Sequence, residues 1–180
     1  MKRLNHLILL IVVLMLTQSS FAQNTEIDPE AKLKELGIEL RVPGPPLANF
    51  VPAVRVGNLV FLSGQGPLKT DGKFMTGKVG KVYDIKQAQR AARLTGINLL
   101  EALKAEIGDL NKVKRIVKVL GMVNAVPDFD QHPKVMNGFS DFMVEVFGER
   151  GRHARSAVGM GSLPFNIPVE IEMIVELKEN

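Results

Sequence analysis

Arg155, Glu170 and the run Ser63-Gly64-Gln65-Gly66-Pro67 are where the residue types of this chain lend themselves to chemistry. Arg155 follows the turn Gly151-Arg152-His153-Ala154 and opens a strand that otherwise reads as apolar and small, Ala157-Val158-Gly159-Met160-Gly161. A guanidinium at the mouth of such a strand is partly desolvated and needs an anionic partner. Its planar fork matches a carboxylate through two parallel hydrogen bonds, so one reading is a clamp for a small carboxylate ligand. The other, commoner for a half-buried arginine, is an internal ion pair with a glutamate such as Glu170 or Glu172. Glu170 itself alternates with Val169, Ile171, Met173, Val175 and Leu177, which puts it on the face opposite the core. That face also carries Ile174 and is less polar than free surface requires, which hints at a second subunit. A carboxylate there is placed to hold or deprotonate a water. Gly64 and Gly66 let backbone amides approach a ligand, and Gln65 adds a donor and an acceptor, although a plain turn explains the run equally well. His153 stands close enough to Arg155 to serve as a base, but a lone histidine in a Gly/Arg-rich loop is expected to be solvated.

The elements that must position these residues follow from periodicity. Asp28 caps a short helix with Pro29 in its first turn, running through Leu36 to Gly37. Pro43, Pro45 and Pro46 then force an extended connection. Residues 23–49 form this lead-in, and residues 50–180 the main domain. Val51 to Val56 and Leu59 to Leu62 read as strands joined at Gly57-Asn58. Ser63 to Lys81 reads as a loop with at most a short strand. Asp84 caps a long helix ending near Ile107 at Gly108, with a small-residue stripe of Ala88, Ala91, Ala92, Thr95 and Leu99 suited to lying close on a sheet. Arg90, Arg93, Lys104 and Glu106 form its solvated face. Val113 to Val123 is a strand, and Pro133 to Phe147 a second amphipathic helix whose Met136 and Met143 fill the core. Arg155 to Met160 and Val169 to Leu177 are closing strands. The order ββαβαββ indicates an α+β domain with helices packed on one face of a mixed sheet.

Composition narrows the chemistry. The 180 residues contain no Cys, which removes disulfides, thiolate zinc sites and cysteine nucleophiles. The three histidines, His6, His132 and His153, show no HExxH or paired spacing, so no metal is expected. There is no GxxxxGK[ST] or GxGxxG run to cradle a nucleotide, and no cofactor is expected. Lys2 and Arg3 precede an apolar run from Leu7 to Leu16 and a small, polar stretch to Ala22. This is the pattern of a secretory signal peptide over residues 1–22, cleaved before Gln23. The alternative is an uncleaved anchor, but ten apolar residues rise only about 15 Å as a helix, half a bilayer core. Export to the periplasm or beyond is therefore expected, with no membrane attachment after cleavage. The leader holds two of the 23 basic residues and none of the 19 acidic ones, lowering the net charge from +4 to +2. With one Tyr and no Trp besides, the chain lacks the basic and aromatic surface of a nucleic-acid binder.

Several blocks together resemble one family. Val56-Gly-Asn-Leu-Val-Phe-Leu-Ser-Gly-Gln65, the helix around Ala91 to Leu103, His153-Ala-Arg-Ser-Ala-Val158, Leu163-Pro164 and Val169-Glu-Ile-Glu172 are similar, in order and spacing, to the RidA/YjgF superfamily. The resemblance implies a chorismate-mutase-like fold assembled as a homotrimeric barrel, with clefts between subunits that bind small carboxylates. It implies hydrolysis of enamines and imines such as 2-iminobutanoate to 2-keto acids and ammonia, without metal or cofactor. Arg155 matches the carboxylate-binding arginine and Glu170 the water-holding glutamate. Gly64 and Ala157 match positions whose backbone contacts the ligand, and Asn137 or its neighbour Met136 a ligand-contacting asparagine. Phe50 stands where a tyrosine is usual, which removes one hydroxyl, and the loop at Asp130 to Lys134 is longer than the common form. A trimeric carboxylate-binding module without turnover is the alternative function, and the family also carries an older endoribonuclease label.

Overall fold

The computed structural model describes residues 26–45 and 48–179. The expected leader with its cleavage position, and Pro46, lie outside them. Helix α1, Pro29–Glu35, starts as the sequence dictates: the Asp28 carboxylate accepts from the backbone N–H groups of Glu30 and Ala31, and Pro29 needs no partner for a missing donor. Its Leu33 joins the core. The extended lead-in is fastened to the body by Arg41, whose Nε and Nη2 donate to the buried Glu101 carboxylate at 2.8 and 3.1 Å. Nη2 also reaches Asn98 Oδ1, and the Asn98 amide donates to the carbonyls of Gly66 and Leu68. A carboxylate taken out of water is tolerated only when paired in this way.

Strand β1, Ala53–Val56, pairs antiparallel with β2, Leu59–Gln65, through a turn at Gly57. β1 begins two residues later than expected because Pro52 has no N–H to give; its carbonyl instead accepts from the Ser63 amide. β2 runs three residues longer than expected, so Ser63, Gly64 and Gln65 lie in a strand and not in a loop, with a register shift between Leu62 and Gln65. Beyond it the chain makes only isolated bridges, Leu68 to Phe74 and Val79 to Tyr83 and Ala125.

Helix α2, Ile85–Ile107, opens with a reciprocal cap in which Asp84 accepts from the Gln87 amide and Gln87 Oε1 accepts from the Asp84 amide. Its small-residue face is buried as expected. Arg90 and Glu106 are exposed, but two residues expected to be solvated are tied down. Arg93 pairs with Glu145 and lies over the Phe142 ring, and Lys104 pairs with Glu30 of α1. Strand β3, Val113–Asn124, leads through the Asp130 loop to helix α3, His132–Phe147; β4, Ala154–Met160, and β5, Val169–Leu177, follow. The sheet order is β1-β2-β5-β3-β4, with β3 and β4 parallel and all other pairs antiparallel. α2 and α3 cover one face and enclose Leu99, Leu103, Met136, Phe139, Ile116 and Ile171. The other face is left uncovered by the described residues.

The two long helices pack tightly at Gly138, where a Cβ would overlap the backbone of Gln89 on α2. Gly138→Ala therefore lowers the thermal unfolding midpoint, at a cost of about 1–3 kcal/mol, even though Ala favours a helix intrinsically. An unchanged or raised midpoint contradicts this packing.

Candidate functional site

β4 is an edge strand, and Arg155 is its second residue. In the register, Arg155 stands beside Val119 of β3, which stands beside Met173 of β5. Val119 and Met173 are buried under the helices, so Arg155 projects from that same face, toward α3. There Nη1 donates to Ser140 Oγ at 2.8 Å, both Nη atoms donate to Asn137 Oδ1 at 3.2 Å, and Nη2 reaches the Pro133 carbonyl at 3.3 Å. Every one of these partners is neutral. Among the described residues no carboxylate lies within ion-pair distance of Arg155. Burial lowers its affinity for a proton, and the more distant Asp141 opposes that. The internal ion pair with Glu170 or Glu172 is thus not formed. Ala157 lies two residues on, beside Gly121, with Met136 packed against that glycine. Met136 is fully buried and Asn137 exposed, so of the two neighbours Asn137 is the one at the guanidinium.

Glu170 occupies a different place. It is paired with Met122 of β3, in the row that continues to Val158, and projects from the uncovered face. Its carboxylate sits against Gly64, where a Cβ would overlap Oε1, so this glycine is required for close approach and not for its backbone angle. Burial, and secondarily the charge of Glu172, raise the Glu170 pKa above the ordinary glutamate value. Phe50 lies on the same side of the sheet's strand order, just ahead of β1, and is half exposed. Its neighbour Val51 is held by the Ser63 hydroxyl at 2.7 Å.

The residues expected to share a site therefore fall into two sets. Asn137, Arg155 and Ala157 belong to α3 and β4; Phe50, Gly64 and Glu170 belong to the β1, β2 and β5 side. Arg155 and Glu170 are two strand spacings apart across the sheet and three residues apart along it, roughly 14 Å between backbones, and project from opposite faces. One chain does not bring them onto one small molecule.

His153 departs from the expected solvated state. It is half-buried, packs edge-on against Phe139, and has both ring nitrogens engaged, by Gly151 and Ser140. Ser140 was not legible as a site residue, though it lies one turn from Asn137 and so shares its helix face. Among the described residues no group of three His, Asp or Glu is arranged to hold a metal.

Residues 30–177 match the family described as "YjgF/chorismate_mutase-like, putative endoribonuclease". The chain belongs to this YjgF/RidA family. It is 42% identical over 148 residues to Protein TCP17 of Trypanosoma cruzi, covering 82% of this chain and 92% of that one. It is 31% identical over 134 residues to a 2-iminobutanoate/2-iminopropanoate deaminase of Dermatophagoides farinae, covering 74% and 89%. Among solved structures, the protein Atu1372 of unknown function from Agrobacterium tumefaciens superposes with a TM-score of 0.75 at 48% identity, covering 83% and 91%.

A carboxylate whose pKa is raised by folding binds its proton more tightly in the native state, so it detracts fully from stability above the folded-state pKa and ceases to do so only below the unfolded-state one. Glu170→Gln accordingly raises the thermal unfolding midpoint at neutral pH. The gain shrinks as the pH falls through the Glu170 titration. A midpoint that drops at neutral pH would show that the native carboxylate is held by favourable contacts instead.

Proposed function

We propose that this chain hydrolyses small 2-imino acids to 2-keto acids and ammonia, at clefts formed between the subunits of a homotrimer exported to the periplasm or beyond. The observation that carries this reading is Arg155: a half-buried guanidinium aimed by neutral acceptors and left without an anion among the described residues of its own chain. A substrate carboxylate is the partner its fork fits. Glu170, the only other strongly implicated charge, is on the opposite face, so a second chain has to supply it. The uncovered sheet face supports such an assembly, because it exposes Val54 at 51%, Phe61 at 41% and Val158 at 39%, in rows with Ile174 and Met122. Apolar side chains gathered on one open sheet face mark a surface that another chain covers.

In the proposed site Arg155 binds the substrate carboxylate and orients the C=N carbon. Glu170 takes a proton from water as the water oxygen bonds to that carbon and the C=N π pair moves to nitrogen, and Glu170 returns the proton to that nitrogen. Collapse of the resulting carbinolamine forms the C=O bond and expels ammonia. A pKa raised by burial suits a group that must accept and return a proton near neutral pH. The deaminase name of the mite relative supports this reading. The second reading, a carboxylate-binding module without turnover, draws on Phe50 replacing the tyrosine usual in the deaminases.

Imines generated in situ by an amino-acid oxidase provide the assay, with ammonia and keto acid as readouts. Arg155→Ala lowers kcat/KM by about 100-fold or more, as expected for losing a charged hydrogen-bonded pair. Glu170→Gln lowers kcat by about 10²–10⁴-fold. A wild-type rate equal to the uncatalysed one contradicts the deaminase reading; saturable keto-acid binding without turnover would establish the second.

A further inference from the structure

Behind Arg155 lies a line of contacts that the proposed reaction does not use. Arg155 Nη1 donates to Ser140 Oγ at 2.8 Å, and Ser140 Oγ lies 3.0 Å from His153 Nε2. The other ring nitrogen, Nδ1, is 2.7 Å from the Gly151 carbonyl oxygen. A carbonyl oxygen only accepts, so Nδ1 carries a proton. In the neutral ring Nε2 is then an acceptor, and the Ser140 hydroxyl donates to it. This leaves the Ser140 lone pairs directed to the guanidinium. Phe139, edge-on to the imidazole, fixes the ring from the α3 side.

Few charges surround this line. Arg155 on β4 acts on His153 directly, and Asp141 on α3 acts on Arg155. Arg152 in the preceding turn is paired with Glu149, and Lys118 of β3 is bonded to Ser156 from the other face of the sheet. Burial holds His153 below the ordinary imidazole range, against the opposing bond to Gly151, and the Arg155 charge adds to the lowering.

We propose that Ser140 and His153 are positioning residues for the Arg155 clamp, Ser140 fixing the guanidinium and His153 fixing the Ser140 hydroxyl, so that anion binding at Arg155 is coupled to proton uptake at His153. This rests on the carboxylate-clamp reading of Arg155. An anion on the guanidinium cancels the charge that disfavours the imidazolium. By reciprocity, a protonated His153 favours the anion. Carboxylate affinity therefore rises as the pH falls through the His153 titration, while a 2-keto acid stays ionised throughout.

The test combines ring-nitrogen NMR of His153 with calorimetric binding of 2-oxobutanoate to the full chain. The Nδ1–H tautomer is expected at high pH. Both Arg155→Met and bound 2-oxobutanoate raise the His153 midpoint. In a Glu170→Gln background, which removes the other titrating group of the proposed cleft, the chain binds 2-oxobutanoate about threefold to tenfold more tightly below the measured His153 midpoint than near pH 8, the effect of a coupling of about 0.5–1 pH unit. Ser140→Ala weakens binding about tenfold, Ser140→Thr restores it, and His153→Phe flattens the pH dependence. An Nε2–H tautomer, or a His153 midpoint indifferent to Arg155→Met, overturns the coupling even if imine turnover is intact. Coupled binding with no turnover upholds it while removing the deaminase reading. Absence of 2-oxobutanoate binding removes both.

Discussion

The guanidinium of Arg155 is oriented by Asn137, Ser140 and the Pro133 carbonyl, three neutral acceptors that fix its direction without neutralising its charge. A half-buried cation in this condition is costly to maintain, and burial is the largest influence acting on it. Much of the surrounding architecture reads as the means of keeping it so. β4 sits at the sheet edge, where a strand-borne side chain reaches past the helix layer to the surface. α3 lies beside β4 and presents Asn137 and Ser140 one turn apart. Its seat on α2 at Gly138, and on Gly121 through Met136, sets its height above the strand.

The same fold sends Glu170 the other way. Strict alternation along β5 commits Val169, Ile171 and Met173 to the helix side, and Glu170 is thereby committed to the open side, against Gly64. The proposed site consequently has its carboxylate clamp on one face of the protomer and its proton acceptor on the other. Assembly then has two roles in the account: it covers the apolar residues of the open sheet, and it brings together two groups that the topology keeps apart.

Much of this was legible in the residues. Alternation in Val169–Leu177 fixed the face of Glu170, and the Asp28 and Asp84 caps with the Gly37 and Gly108 stops fixed four helix ends to within a residue or so. The family blocks around Gly64, Arg155 and Glu170 carried the membership that residues 30–177 show. What local pattern does not encode is which charges meet. Arg93 and Lys104 read as solvent-facing, yet both find partners on elements distant in sequence, Glu145 and Glu30. His153 read as solvated because its loop is polar, but packing on Phe139 buries it. Ser140 carried no signal beyond its one-turn spacing from Asn137, and only the placement of α3 over β4 brings it to Arg155. β1 and β2 differed from expectation at their ends, where Pro52 withholds a donor and the register shift prolongs pairing through Gly64.

The claim on which this account turns is that Arg155 of one chain and Glu170 of another act on the same substrate. Subunit complementation measures it. Arg155→Ala and Glu170→Gln chains, each inactive alone, are unfolded together in equal amounts, refolded, and assayed for imine hydrolysis. Random assembly restores an intact pair at about a quarter of the clefts, and activity recovers to about that fraction of wild type. A mixture as inactive as its two components, assembled to the same oligomeric state, would contradict the shared cleft.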